Sequence, residues 1–251
     1  MNYYISDIHF GNEALLIPPD GNEARKGTRP FSSVEEMNEK IIENINDCCT
    51  AEDTLYIIGD IAQFYNAEES ISLLKHLVPK LVLIMGNHDK GVIAALKAKG
   101  LEVTFKSLFE RVISGDSLLI RDGKYDLLLS HYPVIEWDGY YKGRYLFYGH
   151  VHSGEQGPAQ LMQYVPTAIN VGVDVNDFRP KTAEELIKER KESYRVPEWN
   201  REYLISKVVN PDVDSSRADK HLDLSDFDMN ENSRRKQRQC IPNGEIRRKT
   251  I

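Results

Sequence analysis

Apolar positions along the chain follow two rhythms. Short, nearly unbroken apolar runs stop abruptly at polar residues. They are 2–6 before Asp7, 54–59 before Asp60, 80–86 before Asn87 and His88, 125–130 before His131, 144–149 before His150, and 168–173. Runs of this length without alternation read as strands covered on both faces. Elsewhere apolar residues recur every three or four positions. Met37, Ile41 and Ile45 draw one stripe along a helix at 33–49, opened by Ser33 and Glu36 as a capping box. Ile71, Leu74 and Leu77 mark a second helix at 67–77, and 92–99 a third that ends at Gly100. Thr182 and Glu185 open a fourth, running to about Glu192. Asp122-Gly123 between two apolar runs signals a hairpin. Strand–helix alternation followed by antiparallel strands makes the fold class α/β.

The stretch 15–30 is rich in Pro, Gly and charge and reads as a long loop following Asp7 and His9. Past about Pro211 the apolar periodicity is lost. The expected organisation is a domain at 1–210 and a polar, poorly ordered extension at 211–251. With 251 residues, 41% of them hydrophobic and 28% charged, the chain can bury a large core without disulfides. A net charge of -7 argues against a general nucleic-acid binder. The extension departs from this balance: from Ser233 onward seven Lys and Arg stand against Glu245 alone. Such a segment is a solvated tail or a docking arm for RNA, DNA or an acidic partner. Cys48, Cys49 and Cys240 form no metal or redox motif, and the adjacent pair suits core packing. An odd cysteine count with no secretory signal implies a reducing, cytoplasmic setting. No apolar run approaches the ~18 residues of a membrane span.

Candidate chemistry collects where the strands stop. Asp7 and His9, Asp60, Asn87 and His88, His131, and His150 with His152 all stand there, including five of the seven histidines. Ligands of α/β sheets bind beyond the carboxyl ends of strands. If these ends converge, they line a pocket with two Asp, one Asn and five His. Imidazole and carboxylate are ligands of first-row divalent ions, and thiolates are missing from the set. The donors are too many for one open catalytic ion and suit two ions sharing a carboxylate. In Asp-x-His and His-x-His, strand alternation sends both side chains to one face. Glycines before Asp60, Asn87 and His150 are expected to allow turns that would strain other residues.

The ordered motifs Asp-Ile-His-Phe-Gly (7–11), Gly-Asp (59–60), Gly-Asn-His-Asp (86–89), His131 and Gly-His-Val-His (149–152) resemble the calcineurin-like metallophosphoesterases over about residues 1–175. The stretches 29–46 and 170–180 look like small bacterial or phage-type members. The resemblance implies a four-layer α-β-β-α sandwich, two mixed sheets flanked by helices, with the metal site at the strand carboxyl ends. It implies that Asp7, His9 and His152 bind one metal, that Asn87, His131 and His150 bind the other, and that Asp60 bridges them. His88 would face the substrate as proton donor or charge stabiliser, beside Asn87, with a metal-bridging hydroxide as nucleophile. Arg144 is the candidate arginine for the substrate phosphate. Where phosphoprotein phosphatases of this superfamily carry a second Asp after Gly-Asp, this chain has Gln63, which cannot raise the His88 pKa by charge.

The expected activity is hydrolysis of phosphate esters, diesters ahead of monoesters, with two divalent ions. Mn²⁺ or Fe²⁺ leads, and Zn²⁺, Co²⁺ or Ni²⁺ suits the same donors. The expected partner is the phosphate-ester substrate, with a nucleotide or nucleic acid within that class and no membrane. Two other readings stay open. One is a nucleic-acid-processing enzyme guided by the basic tail; the other is a non-catalytic, metal-stabilised binding protein. Asp174 and Asp177, just past the last strand, and Tyr132 and Trp137, past His131, stand where a pocket rim or the core would be.

Overall fold

A computed structural model of the protein describes residues 1–17, 27–115, 117–154 and 158–195. Among them are nine strands: β1 (Asn2–Ile5), β2 (Thr54–Ile58), β3 (Lys80–Ile84), β4 (Arg111–Ile113), β5 (Ser117–Asp122), β6 (Tyr125–Ser130), β7 (Tyr145–Tyr148), β8 (Ala168–Asn170) and β9 (Lys181–Thr182). Six α-helices accompany them: α1 (Val34–Cys48), α2 (Ala67–Leu74), α3 (Asn87–Ala98), α4 (Glu102–Lys106), α5 (Pro158–Met162) and α6 (Ala183–Ser193). One sheet has the order β4-β3-β2-β1-β9, parallel except for β9. The other has the order β5-β6-β7-β8, antiparallel only between β5 and β6. Both sheets are therefore mixed, as expected.

The unbroken apolar runs are explained by cores on both faces of each sheet. Along the first sheet Tyr3, Ile5, Leu55, Ile57, Leu81 and Leu83 point to α1, α2, α3 and α4. The alternate residues Tyr4, Ile58, Val82 and Ile84 meet Leu127, Leu129, Phe147 and Ile169 of the second sheet. The Tyr4 and Phe147 rings join edge to face across that interior, 4.9 Å apart. On the far side of the second sheet, Leu128, Leu146 and Tyr148 are covered by Trp137, Met162 and Val165. Helices, sheet, sheet and a thin outer layer around α5 make the four layers. Helix α6 departs from that scheme: Ala183, Leu186 and Ile187 close the edge of the core between the sheets.

The sheets join at one end. Past β1, the Ser6 amide donates to Val171 O (3.0 Å), and Val173 N returns a bond to Ser6 O (3.0 Å). The carboxyl ends of β1 and β8 thus share one junction, and the polar residues that interrupt the apolar runs gather around it.

Local signals hold with shifts of one to five residues. Thr182 and Glu185 close a reciprocal capping box on α6. At α1, Ser33 Oγ accepts from Glu36 N, but the Glu36 carboxylate caps Ser32 N instead of Ser33. Helix α3 begins at Asn87, five residues before its apolar periodicity does, so its first turn consists of site residues. Asp122 pairs with Tyr125, which makes Gly123-Lys124 the hairpin turn, with Gly123 at φ +56°. The loop after His9 is closed at its base, where Ile17 N donates to Arg29 O and Thr28 N to Leu15 O. Cys49 is buried in the first core and Cys48 lies at its edge, both as free thiols. No helix of the described residues is long and apolar enough to cross a membrane. The expected boundary near 210 and the basic extension lie outside the described residues.

Phe147 is completely buried between the sheets, so Phe147→Ala is expected to lower stability by about 3–5 kcal/mol in urea unfolding with an unchanged m value. A loss below about 1 kcal/mol would contradict this packing.

Candidate metal centre

The residues that end the apolar runs do converge, but strand alternation is not the reason. Asp7, His9, Asp60, His150 and His152 lie past their strands, and all five have positive φ, from 48° to 73°. This left-handed conformation costs a side-chain-bearing residue roughly 1–2 kcal/mol, and Asp and His tolerate it better than most. Each such residue turns the chain sharply, so Asp7 and His9, like His150 and His152, bracket a tight bend rather than a strand edge. Val151, between the two histidines, packs against the outer core.

Buried hydrogen bonds hold these bends. Asp7 N donates to Gly59 O (3.1 Å) and His9 N to Asp60 O (3.0 Å), so the β1 and β2 exits run side by side. The Asp7 carboxylate receives the His150 amide on both oxygens, at 3.0 Å each. Asp89, completely buried in the first turn of α3, accepts from the amides of Asp60 (2.8 Å), Ile61 (3.0 Å) and Gly86 (2.8 Å). It is thus both a helix cap and the brace of the Asp60 bend.

Two groups of ligand atoms result. Asp7, His9 and His152 form one, and Asp60, His131 and His150 the other, with donor atoms inside each group within 4.8 Å of one another. Asn87 completes the second: its Oδ1 lies 2.9 Å from His131 Nε2 and 2.9 Å from His150 Nδ1. Neighbouring ligands on one ion with bonds of about 2.1 Å stand about 3.0–3.4 Å apart, close to these separations. Asp60 lies between the groups, with Oδ2 3.4 Å from His131 Nε2 and 3.7 Å from His9 Nε2. Its Oδ1 is held by the His88 amide (2.9 Å) at the start of α3. His131 Nδ1 donates to Ile58 O (2.9 Å), and a carbonyl can only accept, so Nε2 is left for coordination. His88 stands at the mouth. Its ring is edge-on to His9 (5.1 Å), with Nε2 3.9 Å from Asp60 Oδ2, and 38% of its side chain is exposed.

The groups behave as a site that wants cations. Both ring nitrogens of His9 are buried without a hydrogen-bond partner among the described residues. Burial lifts the Asp7 carboxyl to about 6 and lowers the His9 imidazole to about 3. Burial together with the charge of His131 lowers His150. Burial opposes charge on His131 too, but its hydrogen bond to Asp60 outweighs that and raises its pKa. Burial thus favours the neutral imidazole of His9 and His150, the form that ligates a metal, and leaves the Asp7 carboxyl without the positive charge that a divalent ion would supply. Donors of N and O type without thiolate fit first-row ions.

The glycine expectation holds in part. Gly59 has φ +84°, and a Cβ there would also strike His131. Gly86 and Gly149 have ordinary φ and are small for reasons of space: a Cβ would meet Asp60 Oδ1 at 2.2 Å or Ser6 Oγ at 1.9 Å. Arg144 is not brought to the cluster. It precedes β7 while His150 follows it, so roughly 13 Å of strand intervenes, and its guanidinium bonds Asp138 within its own loop. Trp137 is core, donating to Arg144 O, whereas Tyr132 is 40% exposed beside the His131 and His150 rings. Two residues behind the first group were not assigned from sequence. Asp174 accepts from His152 Nδ1 (2.8 Å), and Arg29, fully buried, pairs with Asp174 and donates to the carbonyls of Asp7 and Ile8.

The family model for calcineurin-like phosphoesterases matches residues 3–154, which span both ligand groups. The chain belongs to this family. Calcineurin-like phosphoesterases are metal-dependent hydrolases of phosphate esters, and the paired Asp and His groups agree with that general activity. The uncharacterised protein MJ1445 of Methanocaldococcus jannaschii is 30% identical over 191 residues, covering 74% of this chain and 89% of its own. The crystal structure of AQ665 from Aquifex aeolicus, of unknown function, aligns with a TM-score of 0.55 at 27% identity. That alignment covers 75% of this chain and 98% of AQ665.

Because His152 and His150 belong to different groups, His152→Ala and His150→Ala should each leave one tightly held Co²⁺, with different visible absorption spectra. Identical spectra from the two variants would show that the histidines serve one site.

Proposed function

We propose that the protein hydrolyses phosphate esters with two divalent ions, preferring diesters to monoesters, and that His88 protonates the leaving oxygen. The observation that carries this reading is the position of Asp60 Oδ2 between two complete ligand groups, with His88 at the open side. When bound, the ions would neutralise the phosphoryl oxygens and lower the pKa of an attacking water. Mn²⁺ or Fe²⁺ is the favoured pair for these donors.

The chain's own residues do the rest. Asp60 is fixed by the His88 amide through one oxygen and offers the other to both groups. Asn87 brings a neutral oxygen to the second group, which limits repulsion of an anionic substrate. The His88 ring has no hydrogen-bond partner among the described residues and is free to meet a leaving oxygen.

The diester preference rests on charge. A monoester dianion is normally held by arginine or lysine as well as metal. Arg29 is sealed behind the first group, and Arg144 is bound to Asp138 across the length of β7. Neither is offered to a second phosphate charge, which suits a monoanionic diester.

With both sites loaded with Mn²⁺, kcat/KM for a chromogenic phosphodiester should exceed that for the matching monoester. Turnover of neither would refute the hydrolase reading, and the reverse order would refute the diester preference. His88→Ala should lower kcat by about 10²–10⁴-fold while two ions remain bound. Loss of an ion in that variant would make His88 a ligand.

A further inference from the structure

Arg29 is fully buried and the Asp174 side chain is 3% exposed, and coordination gives neither a role. We propose that Asp174, held in place by Arg29, is a positioning residue that commits His152 to the first ion, so that this pair sets the affinity of one metal site and not the other. The inference rests on the two-ion reading of the site and concerns how one of its ligands is prepared.

All five N–H donors of Arg29 are used. Nε and Nη2 fork onto the two Asp174 oxygens (2.9 and 3.0 Å), and Nη2 also reaches Asp7 O (2.6 Å). Nη1 reaches Ile8 O (2.7 Å) and Met37 Sδ (3.6 Å). A fork fixed at so many points leaves Asp174 one position. Its Oδ2 lies 2.8 Å from His152 Nδ1. A carboxylate paired with a guanidinium only accepts, so Nδ1 of the neutral ring carries the proton and the lone pair lies on Nε2. Nε2 is then the nitrogen left for the ion shared with Asp7 and His9. The His152 ring is further set by stacking on His9 at 5.0 Å, and its backbone carbonyl accepts from Asn170 Nδ2 (2.7 Å).

The same Arg29 fork grips the backbone that presents the other two ligands. The carbonyls of Asp7 and Ile8 lie inside the bend whose ends, Asp7 and His9, are left-handed. One buried guanidinium therefore ties together all three ligands of the first group. The second group is fixed mainly by other means: His131 by Ile58 O and Asp60 by Asp89 and the His88 amide, with His150 alone tied to the first group, through its amide on Asp7. A fault in the Arg29–Asp174 pair should therefore be felt at one site.

The test is titration of the metal-free full chain with Mn²⁺ by calorimetry, comparing the wild type with Asp174→Asn. Asn cannot accept from both Arg29 and His152 without turning its own NH₂ group toward one of them. One of the two Mn²⁺ affinities should fall about 10–100-fold while the other changes by less than about threefold. Arg29→Lys, which keeps the charge and loses the fork, should weaken the same site. An equal fall at both sites would mean a general structural role, and no fall would mean no role; either overturns the inference. Should neither variant fold, the wild type decides. Long-range ¹H–¹⁵N spectra of the zinc-loaded protein should show His152 protonated at Nδ1, and protonation at Nε2 overturns the proposal. Failure of the wild type to take up metal would refute the two-ion reading itself. Two wild-type sites with no selective loss in the variant would remove only the role given to this pair.

Discussion

The structure depends on a backbone constraint: five of the seven expected ligands stand in the left-handed region. In an isolated chain each of these bends would open, because the alternative conformations are cheaper by roughly 1–2 kcal/mol per residue. They persist because amides and carbonyls inside the bends are bound to groups that cannot move. Asp89 holds the Asp60 bend, Arg29 holds the Asp7–His9 bend, and the Asp7 carboxylate holds the His150 amide. The ligands are thus positioned mainly by the hydrogen bonds of their own backbone, and the side chains follow. Strain of this kind at a functional site is stable only where its surroundings over-determine it.

Those surroundings exist because two sheets meet at Ser6. The β1 exit is bonded to the β2 exit on one side and to the β8 exit on the other. Residues from both sheets are brought within coordination distance although their strands belong to different hydrogen-bonded layers. The buried carboxylates of Asp7, Asp60, Asp89 and Asp174 would repel one another in a dry interior without compensation. Arg29 answers one of them, backbone amides answer Asp89, and the remaining deficit is where the cations belong.

Much of this was readable from sequence, because the signals are local. An apolar run that halts at Asp, Asn or His marks both a strand and a candidate ligand, and five such halts gave the α/β order and the residues that converge at the strand ends. What was not readable is long-range. Asp174 is 145 residues from Arg29, and nothing near either one announces the other. Arg29 closes a charged, glycine-rich loop and so looks like a surface residue, yet it is fully buried. The reason that Asp7 and His9 point together is not legible either, since the spacing i, i+2 suits a strand and a left-handed bend alike. Arg144 was attractive because it is near His150 in sequence, but a strand between two residues separates them by its whole length.

The site also divides fixed groups from a free one. Of the expected ligands, Asp7, His9, Asp60 and His131 are nearly inaccessible, and each is held by a hydrogen bond of its backbone or of its second ring nitrogen. His88 differs: its amide is anchored to Asp60, while its half-buried ring meets His9 edge-on, lies 3.9 Å from Asp60 Oδ2 and makes no hydrogen bond among the described residues. The replacement of a second carboxylate by Gln63 is consistent with that freedom. In the proposed role, His88 gives its proton to a leaving oxygen and would gain from a weaker hold than a second charged partner would impose. Under that proposal, rigid ligands and one loosely held imidazole are two sides of one arrangement, because only a fixed substrate phosphorus would give a moving proton donor a defined place to go.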